Sequence, residues 1–363
     1  MGNRRTFIKN SSLFVGAAQL PFSLFSIPVK KKKLGVALVG LGYYSTDLLA
    51  PALQETEHCE LKGIVTGSPE KIPLWQKKYG IEDKNVYSYE NMHNIANNPE
   101  IDVVYIVLPN ALHLPYAIIA ANAGKHVWCE KPMATTVAEC EQMIAISQKN
   151  KVQLTVGYRM QHEPVTQQII GWGKSRPYGA MTKIYAEAGF KNGAKNPKHW
   201  KINKALGGGA MYDMGVYPLN VVRYCTGLEP ISVTATQENT RSHLFDADET
   251  TNFELQFPNG IIATCKTTFA DYLNTLNVAC EKGGYTVSPF QAYSGVQATT
   301  SDGKTLKPFI GNQQAKQMDE DALAILNAAP QTLVVPGEEG LKDIKVVEAI
   351  MASASKNGTT IKL

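Results

Sequence analysis

The chain has 363 residues, of which 44% are hydrophobic and 19% charged, and its formal net charge is +4 at pH 7. This length exceeds what one hydrophobic core usually supports, so the ordinary soluble composition predicts two domains. Arg4, Arg5, Lys9 and residues 30–33 supply more than the positive excess, which leaves no basic surface that would indicate nucleic-acid binding.

Residues 1–33 are typical of an export signal and a short linker. The pair Arg4-Arg5 precedes an uncharged, mostly apolar run over residues 11–29, an order that resembles twin-arginine signals, which carry folded proteins across a membrane. Because Pro21 and Pro28 interrupt the run, a stable span of about 20 apolar residues is disfavoured. We predict an exported, periplasmic protein without a stable span in its mature form, tethered only if the signal is retained.

Between residues 34 and 157, strand patterns alternate with helical patterns. Strands are predicted at residues 34–39, 61–65, 103–108, 126–129 and 153–157, and helices through residues 48–53 and over 71–79, 115–123 and 137–148. Continuous apolar and β-branched runs are typical of strands that a parallel sheet buries on both faces. The order predicts an N-terminal doubly wound Rossmann domain over residues 34–157.

A glycine-rich loop follows the first predicted strand and opens a helix. Gly40 permits a tight turn, Gly42 lets backbone N–H groups approach a pyrophosphate, and the helix N-terminus adds partial positive charge. Ser45 stands where the fingerprint has Gly or Ala and is small enough to keep the helix close. We predict a dinucleotide site, against the alternative of an ordinary turn, formed by Gly40, Leu41, Gly42, Tyr43, Tyr44 and Ser45.

The end of the second predicted strand indicates which dinucleotide binds. An NAD site usually places a carboxylate there for the ribose 2′-hydroxyl, whereas this chain has Thr66 and Ser68, with Lys71 one turn further on. No carboxylate repels a 2′-phosphate at that place, and two hydroxyls can donate to it. NADP is therefore favoured, and Glu70 beside Lys71 keeps NAD open as the alternative.

Residues 158–363 show a different pattern, typical of an α+β domain with a large, mostly antiparallel open sheet. Strands are predicted at residues 184–190, 231–237, 251–257, 261–268, 275–280 and 285–289, with hairpin turns at 258–260 and 282–284 and helices over 313–328 and 341–354. Polar and apolar residues alternate over 252–257, so one sheet face is packed and the other open. The open face predicts a homo-oligomer, a dimer or a tetramer.

The six cysteines are scattered along the chain. They show no C-x-x-C pair and no Cys/His spacing suited to zinc, at Cys59, Cys129, Cys140, Cys225, Cys265 and Cys280. We expect no metal site and small buried thiols, because a chain of this size does not need disulfides.

Seven strings occur in an order that resembles one family. They are residues 105–110 (YIVLPN), 124–127 (GKHV), 129–135 (CEKPMAT), 157–159 (GYR), 206–209 (LGGG), 213–217 (DMGVY) and 336–340 (PGEEG). Together they resemble the glucose-fructose oxidoreductase branch of the Gfo/Idh/MocA oxidoreductases, over nearly the whole chain after the signal.

The resemblance implies roles for individual residues. Lys131, before Pro132, would lie between nicotinamide and substrate, Tyr217 would be the acid/base, and Asp213 would orient substrate hydroxyls; side chains four apart on a helix converge. The substrate set would be Lys131, Arg159, Asp213 and Tyr217. The further cofactor positions implied are Leu108, Pro109, Asn110, His113, Glu130, Lys131, Arg159 and Trp200.

These residues predict NADP-dependent hydride transfer between a sugar, at its anomeric or a ring carbon, and nicotinamide. Two alternatives stay open: a glycosidase that uses a transient oxidation, and a sugar or dinucleotide sensor without turnover. The similar sugar oxidoreductase has a long arm before its first strand, whereas only residues 28–33 lie between the apolar run and Leu34. Both a retained and an exchangeable cofactor are therefore compatible with the sequence.

Overall fold

Two sheets organise the chain in the computed structural model, which describes residues 33–192, 196 and 199–363. The predicted export signal lies outside the described residues, apart from Lys33. Within those ranges no helix combines the length and the apolar character needed to cross a bilayer.

The first sheet is parallel throughout, with the strand order β3-β2-β1-β4-β5-β6. Its strands are β1 (Leu34–Val39), β2 (Cys59–Val65), β3 (Val86–Tyr87), β4 (Val103–Ile106), β5 (His126–Cys129) and β6 (Leu154–Val156). Every residue of β1 is buried, as expected when helices cover both faces. The predicted doubly wound Rossmann domain is confirmed. Strand β3 was not predicted, because a strand of two residues shows no sequence pattern.

Helices connect these strands. They are a π-helical segment over Tyr44–Leu49 continued by α1 (Ala50–Ala52), then α2 (Ile72–Tyr79), α3 (His113–Asn122) and α4 (Val137–Lys149). A capping box starts α4, since the Thr136 hydroxyl accepts from the Glu139 N–H and the Glu139 carboxylate accepts from the Thr136 N–H. Helix α2 ends at Gly80, which takes the left-handed conformation that terminates a helix.

The second sheet has nine strands in the order β14-β13-β12-β11-β7-β10-β9-β8-β15, and only its β7–β10 pair is parallel among the described residues. The strands are β7 (Met181–Gly189), β8 (Ser232–Glu238), β9 (Thr250–Gln256), β10 (Ile262–Thr268), β11 (Leu273–Cys280), β12 (Gly283–Val287), β13 (Ala298–Thr300), β14 (Thr305–Leu306) and β15 (Ile361–Lys362). The predicted open, mostly antiparallel sheet is confirmed.

The second half of the chain contains four longer helices, and one of them, α7, packs against the first sheet. They are α5 (Pro164–Ser175), α6 (Val216–Thr226), α7 (Gln313–Leu326) and α8 (Gly337–Ser355). Helices α6 and α8 pack on the second sheet. Helix α7 buries Met318 and Ala322 in a core that contains Leu38 and Trp75 of the first half. The predicted boundary at residue 157 separates the two sheets, but the chain crosses back at α7.

Candidate active site

Lys131 lies two residues after the end of strand β5, at the carboxyl edge of the first sheet. Its ammonium Nζ donates to the Asp213 carbonyl oxygen at 2.6 Å and lies 3.7 Å from Asp213 Oδ1. The same atom is 4.6 Å from the centre of the Tyr217 ring. The structure therefore brings together all three residues predicted to carry the chemistry, from two segments about 80 residues apart along the chain.

Asp213 and Tyr217 lie where a π-helical turn, Met211–Gly215, passes into α6. The regular helical spacing expected for this pair is wrong in detail, because the backbone is wider here than in an α-helix. Pro218 has no N–H to donate to the carbonyl of Met214, which removes one regular hydrogen bond at the junction. Both side chains nevertheless lie beside Lys131.

Asp213 is held between two cations although only 5% of its surface is exposed. Lys201 Nζ donates to Asp213 Oδ2 at 2.8 Å, opposite the Lys131 contact. Burial alone would raise the pKa of Asp213, but Lys201 and Lys131 outweigh it and lower that pKa. Burial likewise opposes the charge on Lys131, while Tyr217, Asp213 and Glu130 together raise the pKa of the lysine. Both groups are ionised at neutral pH.

The Glu130 carboxyl group forms hydrogen bonds that support the backbone at Lys131. Its Oε1 accepts a hydrogen bond from the Tyr105 hydroxyl at 2.6 Å, and its Oε2 accepts one from the Lys131 N–H at 3.3 Å. Burial raises the pKa of Glu130 to about 7, against the lowering effects of Tyr105 and Lys131. A Cβ on Gly157 would stand 2.7 Å from Glu130 Oε1, so this glycine leaves the space that the carboxyl group occupies.

Arg159 is almost completely buried and is bonded mainly to protein oxygens. It donates to the carbonyl oxygens of Gln291 and Ala292 and to the side chain of Gln313. Its guanidinium carbon lies 5.9 Å from the Tyr217 ring and 4.5 Å from the Tyr293 ring. Arg159 thus lies near Tyr217, and its hydrogen bonds go to the loop before β13 and to the first residue of α7.

Tyr293 is a site residue that the sequence did not reveal. Its ring lies 6.1 Å from that of Tyr44, so the second half of the chain meets the glycine loop here. Burial and the neighbouring Tyr217 raise the pKa of Tyr293 well above its usual range, and burial and Glu130 do the same for Tyr44. Both phenols keep their protons at neutral pH.

The glycine loop has the shape that a dinucleotide requires. Gly40 has φ +92°, and a Cβ there would stand 2.4 Å from the Val107 carbonyl oxygen and 2.7 Å from Leu108 Cδ2. A Cβ on Gly42 would meet no atom within 4 Å, so open space adjoins the backbone at the opening of the helix. The Ser45 hydroxyl donates to the Gly40 carbonyl at 2.5 Å and closes the turn. The residues present thus fit a pyrophosphate beside this loop.

The residues predicted to select NADP lie next to that loop. Lys71 Nζ donates to the Leu41 carbonyl oxygen at 2.7 Å, and the Thr66 hydroxyl accepts from the Ser68 N–H at 3.0 Å. Tyr43, at the loop tip, has 65% of its surface exposed. A cation and two hydroxyl side chains therefore flank the open side of the loop.

The side chains of two other predicted cofactor residues, Asn110 and His113, link loops of the protein. Asn110, in the turn after Pro109, donates to the Gly207 carbonyl oxygen at 2.7 Å. The ring nitrogens of His113 lie 2.9 Å from the Pro132 carbonyl and 3.0 Å from the Leu108 carbonyl. Burial lowers the pKa of His113. Its ring lies among these carbonyls and links the two loops, and the cofactor contact implied for His113 stays a prediction.

Trp200, another predicted cofactor residue, lies in the same short turn as Lys201. Its ring stacks on His199, with 6.3 Å between the ring centres, and Lys201 Nζ lies 5.8 Å from it. Lys201 was not predicted from the sequence, because a single lysine before Ile202 forms no recognisable motif. Its pairing with Asp213 appears only when the chain folds.

All six cysteines are described and carry free thiols; Cys280 is half-buried and the others are buried. Burial raises the pKa of Cys59 and of Cys140 to about 12, so these sulfurs are inert at neutral pH. In the part of the chain that the structure describes, no group of His, Cys, Asp and Glu residues could hold a metal ion.

Two family descriptions match most of the chain. Residues 34–158 match the oxidoreductase family with an NAD-binding Rossmann fold, abbreviated GFO_IDH_MocA. Residues 168–286 match the GFO/IDH/MocA C-terminal domain. The two matches correspond to the first sheet and to much of the second half.

Individual relatives agree with these matches. A D-xylose 1-dehydrogenase [NADP(+)] of Haloarcula marismortui is 30% identical over 344 residues, which cover 90% of this chain and 92% of that protein. The crystal structure of an aldose-aldose oxidoreductase from Caulobacter crescentus, complexed with glycerol, has a TM-score of 0.87 and 39% identity, covering 91% of this chain and 100% of that one. An inositol dehydrogenase homolog from Azotobacter vinelandii, at 15% identity and a TM-score of 0.81 over 92% of this chain and 98% of that one, shares the fold.

Proposed function

Because the chain belongs to the GFO/IDH/MocA oxidoreductase family, we propose that it is an NADP-dependent sugar oxidoreductase acting on a CH–OH carbon. One observation carries the proposal: the Lys131 ammonium lies 2.6 Å from the Asp213 carbonyl and 4.6 Å from the Tyr217 ring. Relatives named as a D-xylose dehydrogenase and an aldose-aldose oxidoreductase support an aldose as substrate. Residues 34–157 would hold the cofactor and residues 158–363 most of the substrate.

Tyr217 is the acid/base of this proposal. In sugar oxidation the hydroxyl proton passes to the Tyr217 oxygen, while hydride leaves the carbon that bears that hydroxyl. This carbon becomes a carbonyl carbon, which is part of a lactone when the anomeric carbon is oxidised. The reverse step returns both. NADP, held beside the glycine loop of residues 40–45, would supply the acceptor for that hydride. One cation at about 4 Å is worth about 4 kcal/mol at an effective dielectric constant near 20, so Lys131 can stabilise the phenolate that the step requires.

Asp213 and Arg159 have supporting parts. The Asp213 carboxylate, kept ionised by its two lysines, can accept hydrogen bonds from substrate hydroxyls. Arg159 keeps its guanidinium near Tyr217, where it acts through its charge, since protein oxygens take its NH1 and NH2 donors. A sugar hydroxyl would therefore contact a carboxylate and a phenol, which lie beside the cations Lys131, Lys201 and Arg159.

The cofactor would be held by the glycine loop, with Lys71, Thr66 and Ser68 at the adenosine 2′-phosphate. Lys71 supplies the positive charge and the hydroxyls supply donors. NAD is the alternative if Lys71 stays engaged with the Leu41 carbonyl.

The test is a panel of aldoses and ketoses added to the purified protein with NADP, followed by the absorbance of reduced nicotinamide. Sugar-dependent reduction supports the proposal. Release of nitrophenol from nitrophenyl glycosides without net cofactor reduction would indicate the glycosidase instead. A protein that binds sugar or dinucleotide without any hydride exchange would be a sensor.

Export and assembly complete the proposal. The order of Arg4, Arg5 and the apolar run favours a periplasmic protein, which fractionation of cells expressing the full chain would test. The open face of the second sheet, lined by Tyr185, Thr234, Asn252, Glu254 and Lys266 among others, would join subunits in a dimer or a tetramer. Sedimentation equilibrium of the wild type and of Thr234→Arg would test that face.

A further inference from the structure

We propose that Lys201 is a positioning residue that keeps the Asp213 carboxylate ionised and correctly aimed, and that the string Gly207-Gly208-Gly209 docks Lys201 against it. The inference rests on the proposed function, because Asp213 matters only if a sugar hydroxyl meets it. None of the seven strings that carry the family resemblance contains Lys201, and no other feature of the sequence indicated a role for it.

The two oxygens of Asp213 are divided between two lysines. Lys201 Nζ lies 2.8 Å from Oδ2, whereas Lys131 Nζ lies 3.7 Å from Oδ1 and donates to the backbone oxygen of the same residue at 2.6 Å. Lys201 thus makes the short side-chain contact. Lys131 is shared with Tyr217, so it cannot turn fully towards the carboxylate without leaving the phenol.

Lys201 is itself held in place by its surroundings. Its ammonium lies 4.8 Å from the centre of the Phe190 ring and 5.8 Å from that of Trp200, and such contacts favour a cation over an aromatic face. Its side chain is 29% exposed. The ammonium has three donors, of which Asp213 takes one.

The glycine string explains how the Lys201 turn comes so close to the Asp213 helix. Gly208 N–H donates to the Asn203 carbonyl at 2.9 Å, and Gly209 N–H donates to the Lys201 carbonyl at 2.8 Å. A Cβ on Gly208 would stand 2.4 Å from the Trp200 carbonyl oxygen and 2.6 Å from that of Lys201. The Gly209 carbonyl in turn accepts from the Asp213 N–H at 3.1 Å. The string therefore fixes the backbones of both partners.

Among the residues that the structure describes, Lys131 is the other permanent cation that faces Asp213. The charged and titratable groups around the carboxylate are Lys131, Lys201, His199, Tyr217 and Tyr293. Burial and Lys201 lower the pKa of His199, so its ring is neutral at neutral pH. Burial keeps Tyr293 protonated. Without Lys201 the buried carboxylate would retain Lys131 alone, whose Nζ stands at 3.7 Å.

The experiment compares Lys201→Met, Lys201→Arg and the control Lys204→Met, an exposed lysine of the next turn. We expect Lys201→Met to move the acid limb of the kcat/KM profile to higher pH by about one unit, with kcat falling more than tenfold. Lys201→Arg should restore most of both values, and Lys204→Met should match the wild type. Gly208→Ala should reproduce the Lys201→Met shift with the lysine still present.

A readout without turnover separates this inference from the proposed function. The Asp213 carboxyl carbon is followed by NMR in protein labelled at aspartate, with Asp213→Asn as the assignment, and Lys201→Met should shift its titration upwards by about one pH unit. An unchanged titration, or Lys201→Arg resembling Lys201→Met, would overturn the inference. If the wild type reduces no cofactor with any sugar, the proposed function fails while this titration still decides the part of Lys201.

Discussion

The cofactor side and the substrate side of the cleft are built in different ways. On the cofactor side, residues 40–45 form a contiguous turn whose backbone shape does the recognition, and Gly40 alone explains much of it. On the substrate side, three segments far apart in the chain contribute Lys131, the pair Lys201 and Asp213, and Tyr293. In the proposed function, binding of the nucleotide would therefore depend on local backbone geometry, and binding of the sugar on tertiary contacts.

The largest expected effect is on the substrate side alone. Tyr217→Phe should lower kcat by about 10²- to 10⁴-fold, because the acid/base is lost. NADP binding, measured by nucleotide fluorescence, should stay within about twofold of the wild type, since the phenol belongs to the other side. Tyr272→Phe, at a tyrosine between β10 and β11 that is 75% exposed, is the control. Full hydride transfer by Tyr217→Phe would refute the role of the phenol.

The second effect lies at the seam between the two sides. Burial raises the pKa of Glu130 from its ordinary 4.5 to about 7, so the folded state holds a proton that the unfolded chain has already lost between those values. The free energy of unfolding should therefore fall as pH rises through that window, by at most about 3 kcal/mol. Glu130→Gln should flatten the fall.

Urea unfolding of Glu130→Gln and of the exposed control Glu141→Gln, from pH 4.5 to 7.5, measures the difference. A Glu130→Gln protein whose stability follows the same slope as the wild type would mean that Glu130 ionises normally in the fold.

A third change addresses the cofactor side. Gly40→Ala should lose about 1–3 kcal/mol of stability and abolish tight NADP binding, because φ is +92° and the new Cβ would stand 2.4 Å from the Val107 carbonyl. Gly303→Ala, with φ +81° and no atom within 4 Å of its Cβ, separates the strain from the clash. Equal losses in both variants would show that the close approach at Gly40 does not matter.

The smallest expected effect concerns cofactor choice. Lys71→Ala should raise the Kd for NADPH about tenfold, which corresponds to about 1.4 kcal/mol, and leave the Kd for NADH unchanged. Lys77→Ala, on the exposed face of the same helix, is the matched control in a fluorescence titration. A parallel loss for both nucleotides would place Lys71 at the shared part of the cofactor, and the choice of NADP would need another explanation.

Much of the fold could be predicted because its signals are local. The alternating strand and helix patterns predicted the doubly wound parallel sheet, and strings such as 105–110 and 129–135 indicated the family. Strands β13, β14 and β15 were missed, since two or three residues show no periodicity. Lys201 and Tyr293 were missed because each acts through a partner that only folding brings near. The backbone carbonyls that hold the buried ring of His113 could not be predicted either, because they belong to loops that only folding brings to it.

Helix α7 sets a rule for anyone who wishes to graft the nucleotide half onto another enzyme. Met318 and Ala322 fill the core of the first sheet, and Asp319 accepts hydrogen bonds from the N–H groups of Glu57 and His58. A chimaera joined at residue 157 would keep the first sheet but leave that apolar side without its cover. Transplants that carry residues 313–326 along with the N-terminal half should stay soluble where shorter ones aggregate.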